Sequence, residues 1–343
     1  LKKETIQQGA NVFIVNYDKE FDNGKYRLLF NTQTGLEVLY GINGNDDPFV
    51  LELPSMCDIG IMGHCHNNCS FCYQGDEKQP HMTLDDFRLI IQQVKHHTNQ
   101  VALGGRGDPN KHPKFYEIIW ECVQNGVVPN YTTSGKHLRH DEIRISQQCG
   151  AVAVSDYGKR FTYKAIESLM DAQIKTNIHF VVTRTNIVTH VEPMLQGLDI
   201  WDGKVDLDRL NAVIFLLYKP AGRAKGNLRD CPLRVQYERI AKLFTQPKCK
   251  FKIGMDSCMA NHILKHANFT EFQRMALDTC ESSRMSTYIT PDMRMVPCSF
   301  ADHKEMGVKI GEKTIREIWT DSEPYNIFRR RLTANEHCCP AGF

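Results

Sequence analysis

No run of apolar residues is long enough to span a bilayer, so no membrane-spanning helix is expected. The first residues, "LKKETIQQGANVF", have basic side chains but lack the apolar stretch of a secretory signal, which points to the cytoplasm. Charge of one sign is missing too. Forty-two Lys and Arg face 40 Asp and Glu, a formal net charge of +2, and the two signs are interspersed. That argues against a nucleic-acid-binding surface. There is no internal repeat and no low-complexity segment, which excludes a solenoid or a tail-like chain. Cysteine, by contrast, is abundant: 13 in 343 residues. An odd number in a long chain without a signal does not describe a disulfide framework. It fits a reducing compartment with some thiols held as metal ligands.

Hydrophobic residues make up 41% of the chain, enough for a barrel-sized core. Residues 11 to about 42, with "NVFIVNY" and "YRLLFNTQTGLEVLYGI", read as a β-hairpin, and a linker, "NGNDDP", follows. From residue 56 strands and helices alternate. "SMCDIGIMG", "QVALGG", "VVPNYTTSG", "GAVAVSDYG", "KTNIHFVVTRTN" and "NAVIFLLYKPAG" read as strands, with a short last one in "KFKIGMD". Between them lie helical segments such as "TLDDFRLIIQQVKHH", with Thr83 as N-cap, and "PKFYEIIWECVQNG", closed by Gly126. This rhythm predicts an α/β chain: a partial (βα)6 TIM-like barrel of parallel strands over residues 56–256, with an N-terminal hairpin extension over 1–55. After residue 256 the rhythm stops. A hairpin turning at Pro291-Asp292 and two short helices suggest a smaller cysteine-rich module over 257–343.

Chemistry in such folds gathers at the C-terminal ends of the strands. There, directly after the first barrel strand, stands "GHCHNNCSFCYQG". Cys65, Cys69 and Cys72 are spaced by three and then two residues, and Tyr73 follows. A structural zinc site would take four protein ligands, so His64 or His66 would have to join. A [4Fe–4S] cluster held by three thiolates keeps one iron open for a small ligand. Both readings are compatible with the residues alone. Cys122 and Cys149 sit in apolar patterns and read as ordinary core residues.

The loop "CHNNCSFCY" at the end of a first barrel strand resembles that of radical S-adenosylmethionine (SAM) enzymes. The resemblance implies a [4Fe–4S] cluster on Cys65, Cys69 and Cys72 whose open iron binds SAM, reductive cleavage to a 5′-deoxyadenosyl radical, and hydrogen abstraction from a substrate. It also implies an electron donor such as flavodoxin or ferredoxin, and Tyr73 beside the cofactor. Members commonly carry Gly-Gly-Glu-Pro after the second strand. Here "LGGRGDP" keeps Gly104 and Gly105 but puts Arg106 in the Glu slot, leaving Asp108 as a displaced carboxylate. Ser134 stands where an Asn is usual. Ser155, Asn177 and Arg223 of "KPAGRAKG" occupy places where polar residues meet SAM or substrate.

The tail resembles the SPASM or shorter twitch modules that follow the barrel in one branch. Cys258, Cys280, Cys298 and one or both of Cys338 and Cys339 would then hold at least one auxiliary [4Fe–4S] cluster. Members with this tail commonly modify peptides or protein side chains by thioether formation, crosslinking, epimerisation or oxidation. A SAM-dependent dehydrogenase of a small molecule, and a non-catalytic zinc- or cluster-binding scaffold, are the rival expectations.

Overall fold

The computed structural model describes residues 1–8, 11–67, 69–277, 279–334 and 339–341. The N-terminal part forms two small sheets rather than one hairpin. Strands β1 (Lys2–Gln8) and β2 (Asn11–Tyr17) pair antiparallel. Strands β3 (Lys19–Asp22), β4 (Tyr26–Phe30) and β5 (Glu37–Gly41) form an antiparallel sheet in that order. The break comes at Asp18, whose carboxylate accepts from the Thr32 N–H at 2.9 Å and so turns the chain. Burial is greatest on β4, where Leu29 and Phe30 are fully enclosed.

Strands β6 (Met56–Met62), β7 (Gln100–Gly105), β8 (Val128–Thr133), β9 (Val152–Ser155), β10 (Thr176–Val182), β11 (Ala212–Leu217) and β12 (Lys252–Met255) lie side by side in sequence order, all parallel. Helices α1 (Leu84–Val94), α2 (Phe115–Gln124), α3 (His140–Ser146), α4 (Arg160–Asp171), α5 (Glu192–Leu195) and α6 (Arg234–Thr245) make the crossovers. Side chains alternate across a strand, and β6 shows what this does. Cys57, Ile59 and Ile61 point outward into the core with no exposure, while Asp58 and Gly60 face the other way. The expected N-cap is present: Thr83 Oγ1 accepts from Asp86 N at 3.1 Å. Among the described residues no helix is long and apolar enough to cross a membrane.

The last part of the chain holds α7 (Ser257–Ile263), α8 (Glu271–Met275), β13 (Ser286–Ile289), β14 (Arg294–Val296), α9 (His303–Met306), β15 (Val308–Lys309), α10 (Ile315–Asp321) and α11 (Glu323–Ala334). Its hairpin turns where the sequence predicts, but it does not stand apart. Strand β13 pairs parallel with β6, Tyr288 beside Asp58, so the sheet has ten strands and runs from β12 to β15. The core of this part is continuous with the rest. Ile315, Ile318 and Trp319 belong to the same cluster as Phe87 and Ile90 of α1, and the Trp319 indole donates to Leu51 O at 2.8 Å.

One backbone position at the end of β7 leaves no room for a side chain. Gly105 has φ +106°, and a Cβ there would lie 2.5 Å from Met62 O. Gly105→Ala is expected to cost more than the roughly 1–2 kcal/mol of an unfavourable backbone alone, and to lower the unfolding midpoint in a denaturant titration. The same change at Gly104, where nothing lies within 4 Å of the added Cβ, should leave stability nearly unchanged.

Candidate functional site

The cysteine loop leaves the C-terminal end of β6 and folds over the sheet's open end. It covers a cavity of about 430 Å³. Cys65, Cys69 and Cys72 all line it. Asn67 N donates to Cys65 Sγ at 3.3 Å, and Cys69 Sγ lies 3.5 Å from the Tyr157 hydroxyl. Burial pushes the Cys72 thiol up; the Gln74 N–H and Arg223 draw it down, and Cys69 and Cys65 beside it push it up. The three thiols are thus close electrostatic neighbours. Among the described residues no three His, Cys, Asp or Glu side chains are gathered about one point as a single ion requires. His64 does not turn to the thiols as a ligand; its ring stacks on His81 with centroids 4.3 Å apart.

Most other residues singled out from the sequence meet at the same cavity: Tyr73, Gly104, Gly105, Asp108, Ser155 and Arg223 line it. Ser134 does not, but holds one that does. Its N–H donates to Asp108 Oδ1 at 2.8 Å and its hydroxyl to Oδ2 at 2.5 Å. Burial pushes the Asp108 carboxyl up, while these bonds draw it down. Arg223 is tied to the loop from below. Its N–H donates to Cys72 O at 2.9 Å, and its guanidinium pairs with Asp76. Asn177 stands apart. It is the second residue of β10, at the end remote from the cavity, where its side-chain oxygen accepts from Asn211 Nδ2 at 2.7 Å. Arg106, in the Glu slot, turns away from the cavity: it pairs with Glu77, and its N–H donates to Met62 O at 2.8 Å.

Several cavity residues were not singled out from the sequence. His179, two residues beyond Asn177 on the same face, lines the cavity, and burial pushes its ring down to about 4. Lys219 is buried, pairs with Asp256, and lies over the Phe300 ring at 4.4 Å. Asp58 lines the cavity from β6, and burial pushes its carboxyl up to about 7. Tyr288 brings a hydroxyl from β13 into the same space. Gly60 admits it: a Cβ at Gly60 would lie 2.5 Å from that oxygen. The signal for Asp58 was a carboxylate inside an otherwise apolar strand, "MCDIGIM", an arrangement that is rare without a partner.

A second set of thiols is drawn together around two of its members: Cys298, after β14, and Cys339 each act electrostatically on Cys258 of α7 and on Cys280 before β13. Cys338 lies outside the described residues. Burial pushes Cys280 up to about 12 and Cys298 up to about 11. Ser282 contacts both thiols, and Phe300 N donates to Cys298 Sγ at 3.5 Å. Backbone N–H groups aimed at sulfur are the surroundings an iron–sulfur cluster uses. Lys219 lies beside Cys258 and Cys298, so one ammonium faces both the cavity and this second group. Tyr73, next to Cys72, packs on Phe300 with ring centroids 4.7 Å apart. Two touching rings therefore join the two sets of thiols.

Comparison with known proteins accords with this geometry. Residues 280–340 match the model of the SPASM domain, described as an iron–sulfur cluster-binding domain. Streptococcus suis SuiB bound to S-adenosylmethionine superposes with a TM-score of 0.64 at 17% identity, covering 82% of this chain and 68% of that one. SuiB bound to the precursor peptide SuiA gives 0.63 at 16% identity, covering 82% and 67%. The protein anSMEcpe with bound S-adenosylmethionine and the Kp18Cys peptide gives 0.59 at 13% identity, covering 80% and 82%. No curated protein matches the sequence. The resemblance drawn from the cysteine loop and the tail is borne out at the level of fold: this chain shares with SuiB and anSMEcpe a mostly parallel sheet flanked by helices, and its residues 280–340 match the SPASM model.

Proposed function

We propose that this chain is a radical SAM enzyme acting on a peptide or protein side chain. The observation that carries the reading is that the three thiols of one loop line the same cavity as Gly104 and Gly105, the glycines that end β7. Cys65, Cys69 and Cys72 would hold a [4Fe–4S] cluster. Bound there, the cluster would supply the electron for reductive opening of the sulfonium of SAM, the chemistry that makes hydrogen abstraction from a substrate possible.

The chain's own residues position and enclose. Gly104 and Gly105 let the backbone approach the amino-acid end of SAM. Asp108, fixed by Ser134, offers it a carboxylate. Ser155 and Tyr73 border the same space, and Arg223 braces the loop against the turn after β11. Asn177 has no part in this. Cys258, Cys280 and Cys298, with Cys339 or Cys338, would hold at least one auxiliary [4Fe–4S] cluster. Residues 1–55, 56–256 and 257–343 would be the N-terminal extension, the partial barrel and the auxiliary module. A flavodoxin or ferredoxin would deliver electrons in the cytoplasm. The peptide reading is supported by SuiB and anSMEcpe, which share the fold and have been solved with peptides bound.

After anaerobic reconstitution, the protein is expected to carry about four to eight irons and to form 5′-deoxyadenosine from SAM with dithionite. Replacing Cys65, Cys69 and Cys72 together by Ala should abolish that product and leave the auxiliary iron in place. Persistence of SAM cleavage in the triple variant would reject the assignment. Asp108→Ala is expected to weaken SAM binding about tenfold, roughly 1.4 kcal/mol, with Ser134→Ala shifting it less in the same direction. Equilibrium dialysis of the reconstituted protein measures both.

A further inference from the structure

Each thiol group has a cation beside it, and the two cations are placed differently. Arg223 is the cation of the loop, where it and Cys72 act on each other electrostatically. The side chain of its partner Asp76 is 77% exposed, so water screens the pair. Lys219 is the cation of the second group, beside Cys258 and Cys298. Its side chain is only 6% exposed, and that of its partner Asp256 is 20% exposed. A charge so enclosed acts through little water, and its field on its neighbours is correspondingly stronger.

The ammonium is held from three sides. Lys219 stands two residues beyond the end of β11, and its Nζ turns back to donate to Leu217 O at 3.1 Å. Asp256 Oδ2 accepts from Nζ and from Leu217 N, the latter at 3.2 Å, while Oδ1 accepts from Met259 N at 2.8 Å and caps α7. Cys258 lies on that helix between Asp256 and Met259. On the third side Nζ lies 4.4 Å from the centroid of the Phe300 ring, a cation–π contact, and the Phe300 N–H donates to Cys298 Sγ at 3.5 Å. Lys219 therefore touches one residue on the Cys258 side and one on the Cys298 side. Burial draws the ammonium down, but Asp256, Cys258 and Cys298 push it up, and the balance lies above the ordinary lysine value. Stability does not account for the pair. The cap of α7 is made by Asp256 and needs no lysine, and a buried ion pair is often no more stabilising than apolar residues of the same volume.

We propose that Lys219 sets the reduction potential of the auxiliary cluster, its enclosed ammonium favouring the reduced form, which carries one more negative charge. This rests on the reading of Cys258, Cys280, Cys298 and Cys339 as cluster ligands. It goes beyond that reading by giving a residue outside the ligand set a role and a sign. Reduction adds an electron and changes no covalent bond, and a nearby positive charge lowers the free energy of the more negative state. Asp256 acts in the opposite sense. Removing one charge or the other therefore moves the potential in opposite directions, whereas a change that merely loosened the site and admitted water would move it the same way in both.

The test uses the full-length chain with Cys65, Cys69 and Cys72 replaced by Ala, so that the auxiliary iron is read alone. After anaerobic reconstitution it is titrated with dithionite in the presence of mediator dyes, and electron paramagnetic resonance reads the reduced cluster. In that background Lys219→Met, of similar length but uncharged, is expected to make one-electron reduction about tenfold less favourable, a potential lower by about 59 mV. Asp256→Asn, whose side chain can still cap α7, should raise the potential by a similar amount. The double variant should fall between the two. Shifts of the same sign in the two single variants, or no shift in either, overturn the proposal. Where Lys219→Met does not fold, Asp256→Asn decides alone: the freed ammonium must raise the potential, and an unchanged or lower value overturns the proposal. A starting chain that takes up no iron would reject the auxiliary ligand set itself, and the proposal with it. None of these readouts depends on SAM cleavage.

Discussion

The parallel pairing of β13 with β6 is the contact on which the two ends of the site depend. Strand β6 carries the cysteine loop at its end and Asp58 in its middle. Strand β13 follows Cys280, and its hairpin leads to Cys298. Parallel neighbours cannot be joined by a tight turn, so these strands meet only because the whole crossover sheet separates them in sequence. Their register then puts Tyr288 beside Asp58 and sets the second thiol group next to the cavity. A one-residue slip would turn Tyr288 out of the cavity and Thr287 into it. Thr287 is held against this from the outer face, where it meets the Tyr325 hydroxyl of α11. Helix α11 thus fixes the register on which the site relies.

Around the cavity the protein neutralises its charges in pairs, and each pair also fastens a piece of backbone. Asp256 accepts the Lys219 ammonium and caps α7, taking the Met259 N–H at 2.8 Å, so the residue that neutralises the cavity's lysine also orients the helix bearing Cys258. Asp108 joins the turn after β7 to the turn after β8 through Ser134. These carboxylates would be needed for the fold even if nothing bound. Asp58, by contrast, lines the cavity without a hydrogen-bond or ion-pair partner among the described residues.

Much of this was legible in the sequence, because the signals were local or periodic. Cysteine spacing is covalent geometry, and strand and helix rhythm is a matter of apolar periodicity, so the loop and all seven parallel strands lie where they were expected. The N-terminal part was harder. Strand β1, "KKETIQQ", is polar with one buried residue, Ile6, so nothing in its pattern distinguishes it from a loop, and the bend at Asp18 uses no Gly or Pro. Asn177 illustrates a different limit. Period two correctly places it on the face that carries His179 and Val181, but facing inward is not the same as reaching the site. Depth along a strand depends on where the strand starts, and that is set by its neighbours' register, which no single segment reveals. Tyr288, Lys219 and Asp256 were missed for the same reason: their roles exist only across the seam between distant parts of the chain.

That seam also explains how thin the wall is between the two thiol groups. Tyr73 follows Cys72 directly, and Phe300 comes two residues after Cys298. Because β13 docks on β6, the two rings touch, and Lys219 closes the remaining gap by resting on the other ring. An aromatic side chain immediately after the last loop cysteine is therefore a packing requirement of this fold as much as a feature of the loop. A small residue at position 73 would remove Phe300's neighbour, open the cavity toward Cys298, and expose the Lys219–Asp256 pair to water, where an ion pair is worth much less. The separation of the two thiol groups and the shape of the cavity are thus set by the same few side chains, and neither can change without the other.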